Sequence, residues 1–350
     1  TFNLGSTLTK DDVVDGGSGT NTLRLSVAAI TIDATASTGE LVGVSNIEKI
    51  QIESSNNAAA LDMDGVTGVT TVSAANITTA TVQNTGGDAG NDGTNTITFT
   101  LNGTSYTTAA ADLTGDAAAD KVATSAAIAT TINALSGFTA TSDGTDTVTI
   151  TNLTAGEDIA IVATDANNQT HNETNSTADT NVSFTNLAGT ETVDIIRAAD
   201  VTATLKDASG TSDSLSFNLK TTSYNKDFDT TYDDIVVSNL ETVNIDSSGL
   251  SSTKTNTLSN LSGDSKLTTL NITGSSNLTI SDSASDNSKL ATVNATTFTG
   301  DLTIDGVASL AQTITGGTGN DTFIMAGNLS NTDTIDGGGN TATTTGAGKD

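Results

Sequence analysis

Short apolar runs in which every second residue is hydrophobic recur along most of the chain. Lys266 to Ile280 reads KLTTLNITGSSNLTI and Lys289 to Ile304 reads KLATVNATTFTGDLTI, so Leu267 and Leu290 fall in matching places at a spacing of 23. Ile47 to Ile52 (IEKIQI) returns from Val69 as VTTVSAANITTATV at a spacing of 22. Val44 to Ser55 (VSNIEKIQIESS) returns as Val237 to Ser248 (VSNLETVNIDSS). Alternation of this kind marks a strand with one buried face. A unit with two such strands cannot close a core alone, but stacked copies pair strand to strand and bury a continuous apolar column. The pattern predicts a mainly β fold built as a parallel β-solenoid.

The period breaks between 88 and 180. Strands are expected at Thr96 to Leu101, Ser105 to Thr108, Thr145 to Thr151 and Ile159 to Ala163, with a helix from about Asp116 to Leu135. Val122, Ala126, Ala129, Ile132 and Leu135 give that helix one apolar stripe, which reads as core rather than as a partner surface. Thr164 to Thr180 (TDANNQTHNETNSTADT) has no period and reads as a polar exit loop. Three segments follow: solenoid coils over 1–87, an inserted small α/β domain over 88–180, and solenoid over 181–350. Within the last, VTATL and SLSFNL flank a turn at Asp207 to Asp213 and predict a hairpin excursion at about 200–220.

Composition sharpens this picture. The chain has no Pro, Cys or Trp and only 3% aromatics, so its core must be Val, Ile, Leu and Ala. Absence of Pro permits a chain made mostly of paired strands. Without Cys there is no disulfide framework, and a metal is the alternative staple for thin coils. The 41 acidic and 12 basic residues leave a net charge of −29, which opposes folding unless cations neutralise part of it and makes nucleic acid an improbable partner. No apolar run approaches membrane length, so membrane insertion is not expected. Thr1 is neither an initiator Met nor part of a signal peptide, and the chain reads as a mature or excised piece.

The longest repeat links the two ends. Thr1 to Gly17 (TFNLGSTLTKDDVVDGG) returns as Thr322 to Gly338 (TFIMAGNLSNTDTIDGG) at an offset of 321, matching Phe2, Leu8, Asp12, Asp15, Gly16 and Gly17. On this pattern the chain reads as one period of an array. Just before the second copy, Gly316 to Ile324 reads GGTGNDTFI, a full match to the calcium nonapeptide GGxGxDxUx. In such a turn the glycines bend with positive φ and aim carbonyls inward, and Asp321 adds a charged oxygen. Gly316, Gly317, Gly319 and Asp321 are therefore the leading metal ligands. Calcium takes six to eight oxygens, so a second turn must complete the cage. Candidates are Asp15, Gly17 and Asn21 in DGGSGTN, Asp336 in DGGGN, and Asp88 and Asp92 in GGDAGND. Ordinary Gly-rich turns are the competing reading for all of these; Asp62, Asp64, Asp229, Asp233 and Asp234 lie in acidic loops that could also hold calcium, but read first as solvated surface acid.

GGTGNDTFI, DGGSGTNTL and LATVNATTFTGDLTI together resemble the RTX-type calcium-dependent S-layer proteins of bacterial surfaces, over about two-thirds of the chain. The resemblance implies a right-handed solenoid and export by a type I system without a cleaved N-terminal signal. It further implies folding triggered by calcium outside the cell and self-assembly into a two-dimensional layer. The chain departs from the family in lacking a dense row of consecutive nonapeptides. The expected function is thus an extracellular structural protein whose main partner is itself, with cell-surface polysaccharide as a further partner. A tandem-repeat adhesin or surface filament is the alternative, and a polysaccharide-active β-helix enzyme a remote one. With His171 the only histidine, no HExxH zinc site can form; no G-x-S-x-G elbow or thiol nucleophile is present either, and the chain is not expected to be an enzyme.

Overall fold

A computed structural model describes the chain except for residues 27–30, 36–37, 55–58, 86–91, 103, 115, 154–158, 166–170, 176–179, 197–198, 223–224, 228, 264, 282–286, 306–310, 326–328 and 340–350. The fold is mainly β, and the chain divides into two compact units. One comprises Thr1–Asn76 with Asp179–Asp350, and the other Ile77–Ala178.

The first unit is dominated by two long parallel sheets, of eleven and nine strands. From Thr22–Ser26 onward, successive strands of this unit alternate between the two sheets, apart from one short pair. Thr242–Ser247 lies in the eleven-stranded sheet, Thr255–Ser262 in the nine-stranded one, Thr269–Gly274 in the first again and Asn277–Ser281 in the second. Each strand pairs in parallel with the strand one coil later, as Leu270 does with Val293 and Leu278 with Leu302. This is the arrangement of a β-solenoid. Ile50 pairs with Val72, and Leu267 and Leu290 are both buried, so the recurrences in the apolar pattern are successive coils.

Inward-facing residues stack in columns. Val193, Phe217, Ile245 and Ile272 follow one another through the first sheet and are almost wholly buried. Burying one such side chain stabilises the fold by roughly 1.5–3 kcal/mol. Columns of this kind substitute for the layered core of an ordinary domain, because no single coil encloses enough apolar surface by itself.

The second unit departs from the sheet sequence between Thr71–Asn76 and Thr180–Leu187. The strands on either side of it remain neighbours within their sheets: Val72 pairs with Val193, and Leu61 with Phe184. Its helix, Ala117–Asn133, is capped by the Asp116 carboxylate, which accepts from the backbone N–H of Ala118 and Ala119. The helix buries Ala129 and Ile132 as expected, but Val122 and Ala126 are exposed, and Ile128, Asp120, Thr124 and Ser125 are buried instead. A polar contact explains the rotated N-terminal half: Asn84 Nδ2 donates to Ser125 Oγ at 2.6 Å in a buried setting.

Three expectations for connecting segments change. Thr79–Asn84, read from sequence as a solenoid strand, lies in an antiparallel sheet with Thr147–Asn152 and His171–Asn175 of the second unit. His171–Asn175 thus forms a strand within the stretch expected to be a loop; its side chains are polar, so no apolar alternation marked it. The excursion at 200–220 is not a hairpin. Ala199–Leu205 belongs to the nine-stranded sheet and Ser214–Lys220 to the eleven-stranded one, each pairing in parallel with its own neighbours. Two alternating strands around a polar turn look alike whether they fold onto each other or onto adjacent coils.

Candidate functional site

The GGTGND turn is the middle of three turns stacked along the solenoid. Beneath it lies the bend at Ala295–Gly300 and above it Gly337–Gly339. Backbone bonds tie the three: Thr318 N donates to Phe298 O at 3.0 Å, Gly316 N to Asp336 O at 2.8 Å, and Gly339 N to Gly317 O at 2.8 Å. Gly316, Gly317 and Gly319 do not have positive φ, contrary to the expected reason for glycine here. Their reason is proximity. A β-carbon on Gly317 would fall against the carbonyl of Phe298, and one on Gly319 against the carbonyl of Gly300.

Asp321 is 6% exposed, and its carboxylate works as a clip. Oδ2 accepts from Gly317 N at 2.7 Å inside the turn, while Oδ1 accepts from Leu302 N at 3.1 Å on the preceding coil. A buried carboxylate accepting backbone N–H groups is a strong, charge-assisted link. One coil earlier an exposed carboxylate links the coils in the other direction, Asp301 Oδ1 accepting from Asn320 N at 2.8 Å.

The two Asp-Gly-Gly segments form matching turns. Asp15 Oδ1 accepts from Gly17 N at 2.9 Å and Asp336 Oδ1 from Gly338 N at 3.0 Å, with Gly17 at φ 66° and Gly338 at φ 79°. Here the left-handed backbone does require glycine. Asn21 sits beside the first turn, donating from Nδ2 to Asn46 O at 3.2 Å and from its backbone N to Glu48 Oε2 at 2.6 Å. Asp88 lies outside the described residues, and Asp92 opens the strand Asp92–Asn95, paired antiparallel with Ala111–Thr114.

A second set of residues, not singled out from sequence, joins the coils. Asn46, Asn186 and Asn239 all adopt left-handed backbone, at φ 52°, 58° and 59°. Asn46 Nδ2 donates across to Asp15 Oδ1 at 2.7 Å, and Asn186 Nδ2 to Asp62 Oδ1 at 2.8 Å. Asp62 also accepts from Asp64 N at 2.9 Å, the same bond two residues on that Asp15 makes, but here the left-handed residue is Gly65, one place later, at φ 80°. Glutamates just before first-sheet strands act likewise, with Glu241 Oε2 accepting from Asp213 N at 2.9 Å. The signal was present in the phrase VSNIE returning as VSNLE. Its weight was missed because a polar phrase between apolar strands reads as turn filler.

The electrostatics follow these contacts. The Asn46 amide, then the Gly17 N–H, hold the Asp15 carboxyl below its ordinary value of 3.8, and the Lys206 ammonium does so for Asp64. Backbone N–H groups of Ser330 and Gln312 lower Asp333. All three stay ionised at neutral pH.

Comparison with protein-family models, with curated proteins and with solved structures finds no match.

Calcium needs six to eight oxygens at one point. Among the described residues no three Asp, Glu or His side chains gather to hold a metal. Both oxygens of Asp321 and the carbonyl of Gly317 already accept backbone hydrogen bonds. The described donors at these turns are arranged as hydrogen-bonded clips.

Proposed function

We propose that the chain is an extracellular structural protein of a bacterial cell surface, which assembles with copies of itself into a calcium-stabilised layer. The observation that carries this reading is the pair of uninterrupted parallel sheets, eleven and nine strands long, with carboxylate and Asn clips between coils. A stack of this kind is stiff along its axis and repeats its chemistry at every coil. Such properties suit a scaffold. The resemblance carried by GGTGNDTFI adds export and right-handedness to the proposal, and we take Ile77–Ala178 as a small α/β module inserted in the solenoid. Cell-surface polysaccharide is a further partner in this reading. A tandem-repeat adhesin or filament is the second reading, favoured by the 321-residue replay.

Calcium enters as the cation that offsets 41 acidic against 12 basic residues. At one end of the solenoid Asp321 and Asp336 with the carbonyls of Gly316, Gly317 and Gly319, and at the other Asp15, would each supply part of a separate shell, and oxygens from a neighbouring molecule the rest. The test is removal of calcium with EGTA, followed by circular dichroism and electron microscopy. Loss of ordered assemblies, with lower thermal stability, is expected. Unchanged spectra, stability and morphology would remove calcium from the account.

A further inference from the structure

We infer that the side chains of Lys49 and Asp194 become joined by an amide bond, a covalent staple that the chain closes by itself. Lys49 Nζ lies 2.9 Å from Asp194 Oδ2, although 145 residues separate the two in sequence. Water reaches this contact poorly: the Asp194 side chain is 8% exposed and that of Lys49 26%. The other lysine–carboxylate pairs among the described residues differ. Lys10, Lys206 and Lys226 face carboxylates that are more than half exposed, and Lys266 stands 4.0 Å from Glu241.

Three neighbouring strands of the eleven-stranded sheet build the site, with Lys49 in Lys49–Ser54, Ser73 in Thr71–Asn76 and Asp194 in Thr192–Ile196. Val72, Ala74, Val193 and Ile195 belong to the core, so Ser73 and Asp194 share the outer face, where they pair in register. Lys49 therefore reaches Asp194 across the strand that carries Ser73. Ser73 is 0% exposed, and its hydroxyl has no hydrogen-bond partner among the described residues. A purely electrostatic pair leaves that hydroxyl unexplained, since buried polar groups are normally bonded. From the strand on the other side, Asn218 Nδ2 donates to Asp194 Oδ1 at 2.7 Å. An amine, a carboxyl group, an amide donor and an unused hydroxyl are thus gathered in one place.

Proton transfer within the pair turns ammonium and carboxylate into amine and carboxylic acid, a change that scarce water favours. Nζ then attacks Cγ, and the charge that gathers on Oδ1 is met by the Asn218 N–H. Oδ2 leaves as water, carrying its own proton and one from the amine nitrogen, which the Ser73 hydroxyl passes on. One C–N bond forms, one C–O bond breaks, and a single water is the only other product. Groups held in contact react with effective molarities that reach about 10⁵–10⁸ M, so no external catalyst is needed. The bond ties a coil before the inserted Ile77–Ala178 unit to a coil after it, and in a chain without Cys it supplies the constraint on unfolding that a disulfide gives elsewhere.

Intact-mass spectrometry of the denatured full chain tests this. The unaltered chain is expected to weigh one water less than its sequence, and its digest to contain a branched peptide joining Lys49 to Asp194. Lys49→Arg keeps the positive charge without the amine, and should restore the full sequence mass in a chain that circular dichroism shows to be folded. Ser73→Ala should close the bond about 10²-fold more slowly. Equal rates for Ser73→Ala and the unaltered chain would remove the hydroxyl from the step. An unaltered chain at its full sequence mass would overturn the staple. A deficit that persists in Lys49→Arg would overturn it too, because the water would then have been lost elsewhere, as at an Asp-Gly pair such as Asp143-Gly144.

Discussion

Replacing Asp321 with alanine is expected to destabilise the solenoid by about 2–6 kcal/mol, since a buried N–H left without a partner costs about 1–3 kcal/mol and this carboxylate serves two. Gly317 N loses its acceptor within the turn, and Leu302 N loses its acceptor across coils. Because Asp321 is only 6% exposed, water does not readily replace either bond. Asp321→Asn retains one carbonyl oxygen but turns an NH2 toward the second N–H, and should lose an intermediate amount. Urea unfolding of the three proteins measures this order. Equal stability of Asp321→Ala and the unaltered chain would show that the clip does not hold the coils.

The second large effect is steric. Gly319→Ala places a β-carbon against the carbonyl carbon and oxygen of Gly300 and the amide nitrogen of Asp301, all backbone atoms that no side-chain rotation can move aside. Overpacking of this kind costs about 1–3 kcal/mol, and the adjoining turns must separate locally. Gly339 gives the control from the same region, because a β-carbon there meets nothing within 4 Å. Gly339→Ala should change stability by less than about 0.5 kcal/mol. Thermal unfolding that ranks Gly339→Ala below Gly319→Ala would contradict the stacked-turn geometry.

These effects show which features were legible in the chain. Coil length and register could be read because inward positions alternate strictly, and Leu267, Leu290, Ile50 and Val72 fell where the pattern placed them. The turn at Gly316–Asp321 was also legible, although its glycines are there for close approach rather than for left-handed backbone. Strand partners were less so. Ala199–Leu205 and Ser214–Lys220 carry the alternation of a hairpin, and only the neighbouring coils reveal that they occupy different sheets. The replay of Thr1–Gly17 by Thr322–Gly338 proves to be one of turns: Phe2–Gly5 lies in the eleven-stranded sheet and Thr322–Ile324 in the nine-stranded one. The Asn46 and Asn186 clips were hidden because each left-handed asparagine reaches back to a partner distant in sequence, Asp15 for the first and, across the whole second unit, Asp62 for the second.

The central claim is that coils piled along one axis form the scaffold and that the pile persists in the assembled material. X-ray diffraction from oriented assemblies tests it most directly. Parallel strands stacked along a common axis predict a strong reflection at about 4.7–4.9 Å in that direction. Well-ordered assemblies that diffract without that spacing would contradict it.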